Sequence, residues 1–299
     1  MKEIKITFLG TGSSIPSRAR NTPATFLEYD GNGFLFDCGE GTQRQFRYAN
    51  LNPGKVDKIF ISHWHGDHVL GLPGLIQTLA SSGYNKKLEI YGPEGTKNFI
   101  KKMFEVFVFA ENINLEIHEV KEGVALDEKE FFIESRRMEH GPPCNAYNFV
   151  LKGQRRIDKS KLGKLKIMAG PHLQKLKEGK DVVVEGKKLK FKELTYLENG
   201  KKVSIVMDTK MNAKIVPFVK EANVLIIETS FSDELRDHAE EKKHMTASQV
   251  GDIAKKAQVG KVYLTHISSR YNNPKIILEE AKKKFKNSEL ARDLMEIKI

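Results

Sequence analysis

The chain has 299 residues, 39% of them apolar and 30% charged, with a net charge of +11. This describes a soluble globular protein long enough for one sizeable α/β unit, and no run approaches the roughly 20 apolar residues of a membrane span. Its two cysteines, Cys38 and Cys144, exclude a disulfide framework and fit a reducing, cytoplasmic compartment.

From Lys2 to Leu9 polar and apolar residues alternate, which predicts a strand from Ile4 and lacks the apolar block of a signal peptide. Gly10-Thr11-Gly12-Ser13-Ser14-Ile15-Pro16 lacks the third glycine of a dinucleotide fingerprint and has a proline where a helix should start, so a Rossmann reading fails. Its glycines suit either a tight turn or backbone N–H groups close to a phosphate. Thr25–Tyr29 and Phe34–Phe36 predict a hairpin over Asp30-Gly31-Asn32-Gly33.

Ile59-Phe60-Ile61 reads as a buried strand, and Ser62-His63-Trp64-His65-Gly66-Asp67-His68 follows it. In extended chain, side chains at i and i+2 project to one side, so His63 and His65 can grip one ion. After a turn at Gly66, Asp67 and His68 can reach a second ion beside the first. Imidazole suits zinc, copper, nickel or iron, and a carboxylate compensates charge. Three of the nine histidines in a six-residue window argue against a chance surface loop.

One such run cannot fill two metal sites, and partners are expected at other strand ends. His140 follows Phe131-Phe132-Ile133, Asp208 ends Val203-Ser204-Ile205-Val206-Met207, and His266 ends Lys261-Val262-Tyr263-Leu264-Thr265. Between these landmarks we expect a helix over Gly71–Ser82, a strand at Leu88–Tyr91 and an amphipathic helix over Lys97–Phe109. The apolar Phe99, Met103, Phe104 and Phe107 of that helix are expected in the core. A strand over Leu115–Val120 carries a structural His118. Later come a strand at Ser204–Met207, a helix through Val216 and Phe218, and a strand at Val224–Ile227. An acidic, mobile stretch over Asp233–Glu241 precedes helices at Ala247–Ala257 and Ile276–Phe285, and Leu294–Ile299 closes the chain as a strand. His172 and His238 are expected in solvent.

Residues 152–192 contain fourteen Lys or Arg and four Asp or Glu, which is ten of the eleven excess charges. A basic segment in a chain with clustered metal ligands points to a polyanionic substrate. Its apolar residues are sparse, so it is expected to bury little and to be mobile when unbound.

The metal-ligand run with its three distant partners resembles the metallo-β-lactamase superfamily of binuclear hydrolases. The closer resemblance is to the ribonuclease Z family, zinc endonucleases that trim the 3′ end of precursor tRNA, and it covers nearly the whole chain. It implies an α/β (α+β) fold, a four-layer αββα sandwich forming one domain over 1–299, with a basic exosite arm inserted at 152–192. It implies two Zn2+ per subunit, the first on His63, His65 and His140, the second on Asp67, His68 and His266, with Asp208 bridging. Asp67 also accepts a proton from the attacking water in this scheme.

Other stretches carry the likeness further. Asp37-Cys38-Gly39-Glu40-Gly41-Thr42-Gln43 matches the family's D-C-G-E-G-T-Q, and Asp37 is placed to hydrogen-bond a ligand histidine and fix its tautomer. Gly141 to Tyr147 resembles a Gly-rich, Tyr-ended loop with Ala146 replacing a glycine. Glu228-Thr229-Ser230-Phe231 stands for H-E-A-T, with Ile227 in place of the histidine, and His244-Met245-Thr246 stands for H-S-T. The resemblance makes His244 the general acid, oriented by Glu228. Ile267-Ser268-Ser269-Arg270-Tyr271 matches S-S-R-Y, so Ser268 and Arg270 are expected to hold phosphate. Gly170-Pro171, followed by Lys175 and Lys177, resembles the exosite motif that clamps tRNA.

The implied partners are precursor tRNA and a second copy of the chain, with no membrane. The alternative is a phosphodiesterase of the same fold acting on a small or cyclic nucleotide, which leaves the basic arm unexplained. A di-iron oxidoreductase is disfavoured because His65 stands where that class prefers a glutamate.

Overall fold

The computed structural model describes residues 3–109, 113–165, 167–184 and 186–299. Lys2, Lys166 and Glu185, counted in the sequence reading, lie outside them. The chain forms two compact units, the smaller made of Glu128–Phe132 and Val150–Lys201 and the larger of the rest.

Fourteen strands build two seven-stranded sheets. The first takes β1 (Ile4–Gly10), β2 (Ala24–Tyr29), β3 (Asn32–Phe36), β4 (Lys58–Phe60), β5 (Lys87–Gly92) and β6 (Asn114–Glu119). The second takes β7 (Gly123–Asp127), β8 (Phe131–Met138), β9 (Cys144–Leu151), β10 (Lys201–Val206), β11 (Val224–Glu228), β12 (Lys261–Thr265) and β13 (Ser288–Leu290). The last strand, β14 (Glu296–Lys298), returns to pair with β1. In the first sheet β3 through β6 are parallel, and in the second β10 through β13 are.

Period-two alternation decides which residue faces what. In β2 Phe26 points to the helix side and packs edge-on against Phe46 of the helix Thr42–Tyr48, while Tyr29 meets Phe149 of the opposite sheet. Phe36 and Phe60 meet Tyr147, and Phe8 meets Tyr263, so aromatic side chains fill the space between the sheets. On the outer face of the first sheet, Leu35, Ile59, Ile61 and Ile90 pack with the helix Leu72–Ser81 and with Ile100 of the helix Thr96–Val106. On the outer face of the second, Val206, Leu225, Ile227 and Leu264 pack with helices Ile215–Val219, Ala247–Ala257 and Lys275–Lys284. Helix, sheet, sheet, helix is the resulting order of layers.

The hairpin between β2 and β3 is tighter than the sequence suggests. Tyr29 pairs with Asn32, which leaves Asp30 and Gly31 as a two-residue turn, both at positive φ (50° and 81°). Asp-Gly is the dipeptide that tolerates this geometry.

Four expectations are corrected. Phe99, Phe104 and Phe107 are exposed rather than buried, and Ile100 is what the Thr96–Val106 helix puts in the core. Asp233–Glu241 is ordered as a 3₁₀ turn and the helix Arg236–Lys242, with Asp233 accepting the Ser248 N–H at the start of the next helix. His172 and His238 are half-buried. The basic segment is a folded body, with its own core of Leu162, Leu176, Val182, Leu189 and Leu194.

Within that smaller unit Gln154–Ile157 pairs with Thr195–Glu198, and Val182–Val184 with Lys187–Leu189. The apolar residues that close its core come from five separate stretches, so no local periodicity announces them.

Candidate metal centre

Parallel register brings the strand tips level: Phe36 pairs with Phe60, Val206 with Ile227 and Glu228 with Thr265. The residues just beyond those tips are therefore neighbours. Asp37 follows β3, His63 and His65 follow β4, His140 follows β8, Asp208 follows β10, Glu228 ends β11 and His266 follows β12. Asp67 and His68 lie in the short helix Gly66–Val69. Asp37 and His266 both take positive φ (56° and 57°), sharp turns that aim their side chains at the tips.

All seven predicted ligands converge. His63, His65, His140 and Asp208 form one group and Asp67, His68 and His266 another, each with ligand atoms within 4.8 Å of one another. Asp208 faces both. Its Oδ2 lies 3.6 Å from Nε2 of His63 and of His140, and its Oδ1 lies 3.0 Å from His266 Nε2 and 3.5 Å from His68 Nε2. His266 Nε2 and His68 Nε2 are each 3.5 Å from Asp67 Oδ2.

The outer nitrogens are engaged by acceptors. His68 Nδ1 donates to Asp37 Oδ2 at 2.7 Å, and His140 Nδ1 donates to the Lys243 carbonyl at 3.2 Å. His266 Nδ1 meets Ser230 Oγ at 2.9 Å. In a neutral ring, donation from Nδ1 leaves Nε2 unprotonated and pointing inward, the state a metal requires. Without a cation, and against the pull of burial, the Asp208 and Asp37 carboxylates hold His68 well above the ordinary imidazole range. Burial holds His63 well below the ordinary imidazole range and lowers His140 too, so both favour that neutral form.

These donors fit a bound cation. His63 Nε2 is buried without a hydrogen-bond partner, and Asp208 Oδ1 also makes no hydrogen bond although His266 Nε2 is close. The Nε2 atoms of His68 and His266 face each other at 3.3 Å. Opposed lone pairs repel, and a cation between them reverses the sign. By contrast, burial pushes the Cys38 thiol up to about 12 and Cys144 well above its usual range, so neither offers a thiolate.

Around the ligands lie groups with catalytic chemistry. His244 Nδ1 is 3.1 Å from Glu228 Oε1, and its Nε2 is 3.9 Å from Asp208 Oδ2. Glu228 is fully buried, and its carboxylate accepts from the N–H groups of Thr209, Ser230 and Met245 and from the Ser230 hydroxyl. Burial disfavours a charged His244 ring, but the Glu228 carboxylate outweighs it and pushes His244 up to about 9. Met245, in place of the family's serine, is buried core.

Three contributors carried no signal in the sequence. The Ser14 N–H donates to Asp67 Oδ2 at 2.8 Å, the Ser230 hydroxyl links His266 to Glu228, and the Lys243 carbonyl fixes His140. Ser13 pairs with Ser268, which joins the first glycine loop to the strand Ile267–Ser268 after His266. A pocket of about 210 Å³ opens there, lined by Ile15, Arg18 and Arg20 on one side and Ser268 and Tyr271 on the other. Arg270 is exposed beside it, its Nε 3.3 Å from Ser268 Oγ. Gly170, Pro171, Lys175 and Lys177 belong to the smaller unit, where both lysines are exposed on or next to the helix His172–Lys177.

His118 stacks on Tyr91 and lies near Glu89 and Glu116. Lys58 and Lys87 pair with those two carboxylates, so this cluster is a neutralised ion-pair net.

Residues 4–155 match the family model described as Anti-Pycsar protein Apyc1. A ribonuclease Z of Nanoarchaeum equitans is 40% identical over 266 residues, covering 89% of this chain and 84% of that protein. Among solved structures, human tRNase Z, short form, superposes with a TM-score of 0.71 at 27% identity, covering 98% of each chain. The metallo-β-lactamase fold protein YhfI from Bacillus subtilis, at 18% identity, shares the fold with a TM-score of 0.73 over the whole of both chains.

Proposed function

The chain belongs to the ribonuclease Z family and, through residues 4–155, to the family described as Anti-Pycsar protein Apyc1, and on that premise we propose that it removes the 3′ trailer from precursor tRNA. It is a metal-dependent hydrolase of the metallo-β-lactamase fold. The products in this reading are a tRNA with a 3′-hydroxyl and a trailer with a 5′-phosphate. The observation that carries it is the convergence of seven ligand side chains at strand tips, in a chain that also bears a compact basic unit.

His63, His65 and His140 would hold one zinc ion, Asp67, His68 and His266 a second, and Asp208 would bridge them. Bound there, the pair lowers the pKa of water toward about 7 and neutralises charge on the phosphodiester. Asp67, its Oδ2 fixed by the Ser14 N–H, accepts the proton of the attacking water. Glu228 holds His244 by Nδ1 and keeps the ring protonated, so that Nε2–H, on the side of Asp208, serves the departing 3′ oxygen. Ser268 and Arg270 grip the phosphate.

Substrate choice rests on the smaller unit. Its Lys159, Lys164, Lys175, Lys177, Lys187 and Lys192 are exposed and form no ion pair among the described residues. Lysines of this kind meet phosphates without reading bases, so binding follows the shape of the tRNA. A small or cyclic nucleotide would leave these cations unused. The cytoplasm is the expected compartment, and a homodimer the expected assembly.

Excising Lys159 to Val184 tests the reading. Cleavage of a 3′-extended tRNA should collapse while hydrolysis of bis(p-nitrophenyl) phosphate stays largely intact. Charge reversal at Lys175 and Lys177, which leaves the small core in place, should act in the same direction. Equal loss of both activities, or no loss of either, would count against a tRNA-binding arm.

A further inference from the structure

Arg270 does not stand alone on the surface. Its guanidinium lies over the ring of Phe231, with the central carbon 5.0 Å from the ring centroid. Its Nε reaches Ser268 Oγ at 3.3 Å, and its Nη2 lies 3.4 Å from Nε2 of His238. His238 comes from the helix Arg236–Lys242, and its ring meets Phe231 edge-on at 5.1 Å and 80°. Phe231 in turn abuts His244 at 5.9 Å. Three side chains from three segments, Phe231, His238 and Ser268, thus hold the guanidinium.

From this packing we propose that His238 is a positioning residue for the phosphate-gripping arginine, setting the plane in which Arg270 meets the scissile linkage. The inference rests on the phosphodiester-cleaving role given to the centre above. A guanidinium has only donors, so the contact at Nη2 requires the unprotonated Nε2 of His238 as acceptor. The proton then sits on Nδ1, which faces Glu241 Oε2 at 3.9 Å. Stacking on Phe231 fixes the tilt of the guanidinium, the Ser268 contact fixes its stem, and the His238 contact stops rotation about the remaining axis. The other N–H groups stay free for a phosphate oxygen, and a planar fork held this way loses little further freedom when it binds. Acceptor position matters, because a long arginine side chain in the exposed turn after the strand Ile267–Ser268 otherwise samples many rotamers.

The test compares His238→Leu, which keeps the apolar edge against Phe231 but lacks an acceptor, with His238→Gln, whose amide oxygen can replace Nε2. Each is assayed on a 3′-extended tRNA and on bis(p-nitrophenyl) phosphate, alone and with Arg270→Ala. We expect His238→Leu to lower kcat roughly tenfold with metal content and KM little changed, and His238→Gln to restore most of the rate. In the Arg270→Ala background His238→Leu should have no further effect. Full activity of His238→Leu, or an equal loss with and without Arg270, would overturn the inference. Failure of the unaltered chain to cut tRNA would instead count against the tRNA reading, while the small phosphodiester still reports the coupling between His238 and Arg270.

Discussion

His68, His140 and His266 each do two jobs, one with each ring nitrogen. Asp37, the Lys243 carbonyl and Ser230 take the outer nitrogens of His68, His140 and His266, and the inner ones are thereby aimed at a common point. His244, like His68, has its outer nitrogen on a buried carboxylate, but its inner nitrogen stands farther from Asp208 (3.9 Å) than those of His63, His140, His68 and His266 (3.0–3.6 Å), which suits proton donation better than ligation. His244→Ala is therefore expected to retain both metals and to lose about 10²- to 10⁴-fold in kcat, read from single-turnover cleavage with metal analysis on the same sample. Loss of metal in that variant would move His244 into the ligand set, beside Asp208 and His266. The ligands themselves were legible because histidines are scarce in this chain and cluster after apolar strands. Ser14 and Lys243 were not, since they act through backbone groups that every residue possesses.

At the scale of elements, parallel strands deliver the site by ending level, and alternation along each strand foretold which residues would be buried. The strand–ligand–loop pattern could be read because each unit of it is local. The helix Thr96–Val106 shows where that reasoning stops. Its apolar residues have helical spacing, yet only part of the stripe turns inward, and Phe99, Phe104, Val106, Phe107 and Val108 remain 39–100% exposed. Exposed apolar side chains of this kind are what association would cover, and they agree with the proposed homodimer. Light scattering should give about twice the 34.0 kDa of one chain, and Phe107→Lys should shift the mass toward a single chain. A monomer before substitution, or a dimer indifferent to it, would speak against this surface. The basic segment failed in the opposite sense: its core residues are too far apart in sequence to announce a fold, but five of them close on one another.

Across the whole molecule, charge and chemistry are divided. Residues 152–192 carry ten of the eleven excess positive charges, while the ligands lie in the larger unit. The account reduces to a paired metal centre acting on an RNA phosphodiester that the basic unit helps to hold. Its most direct test is cleavage of a 3′-extended tRNA transcript, with product ends mapped and zinc quantified on the same preparation before and after chelation. The account predicts two zinc ions per chain, a 3′-hydroxyl on the tRNA, a 5′-phosphate on the trailer, and loss of cleavage when the metal is removed. At most one ion per chain, or cleavage that survives chelation, would contradict it.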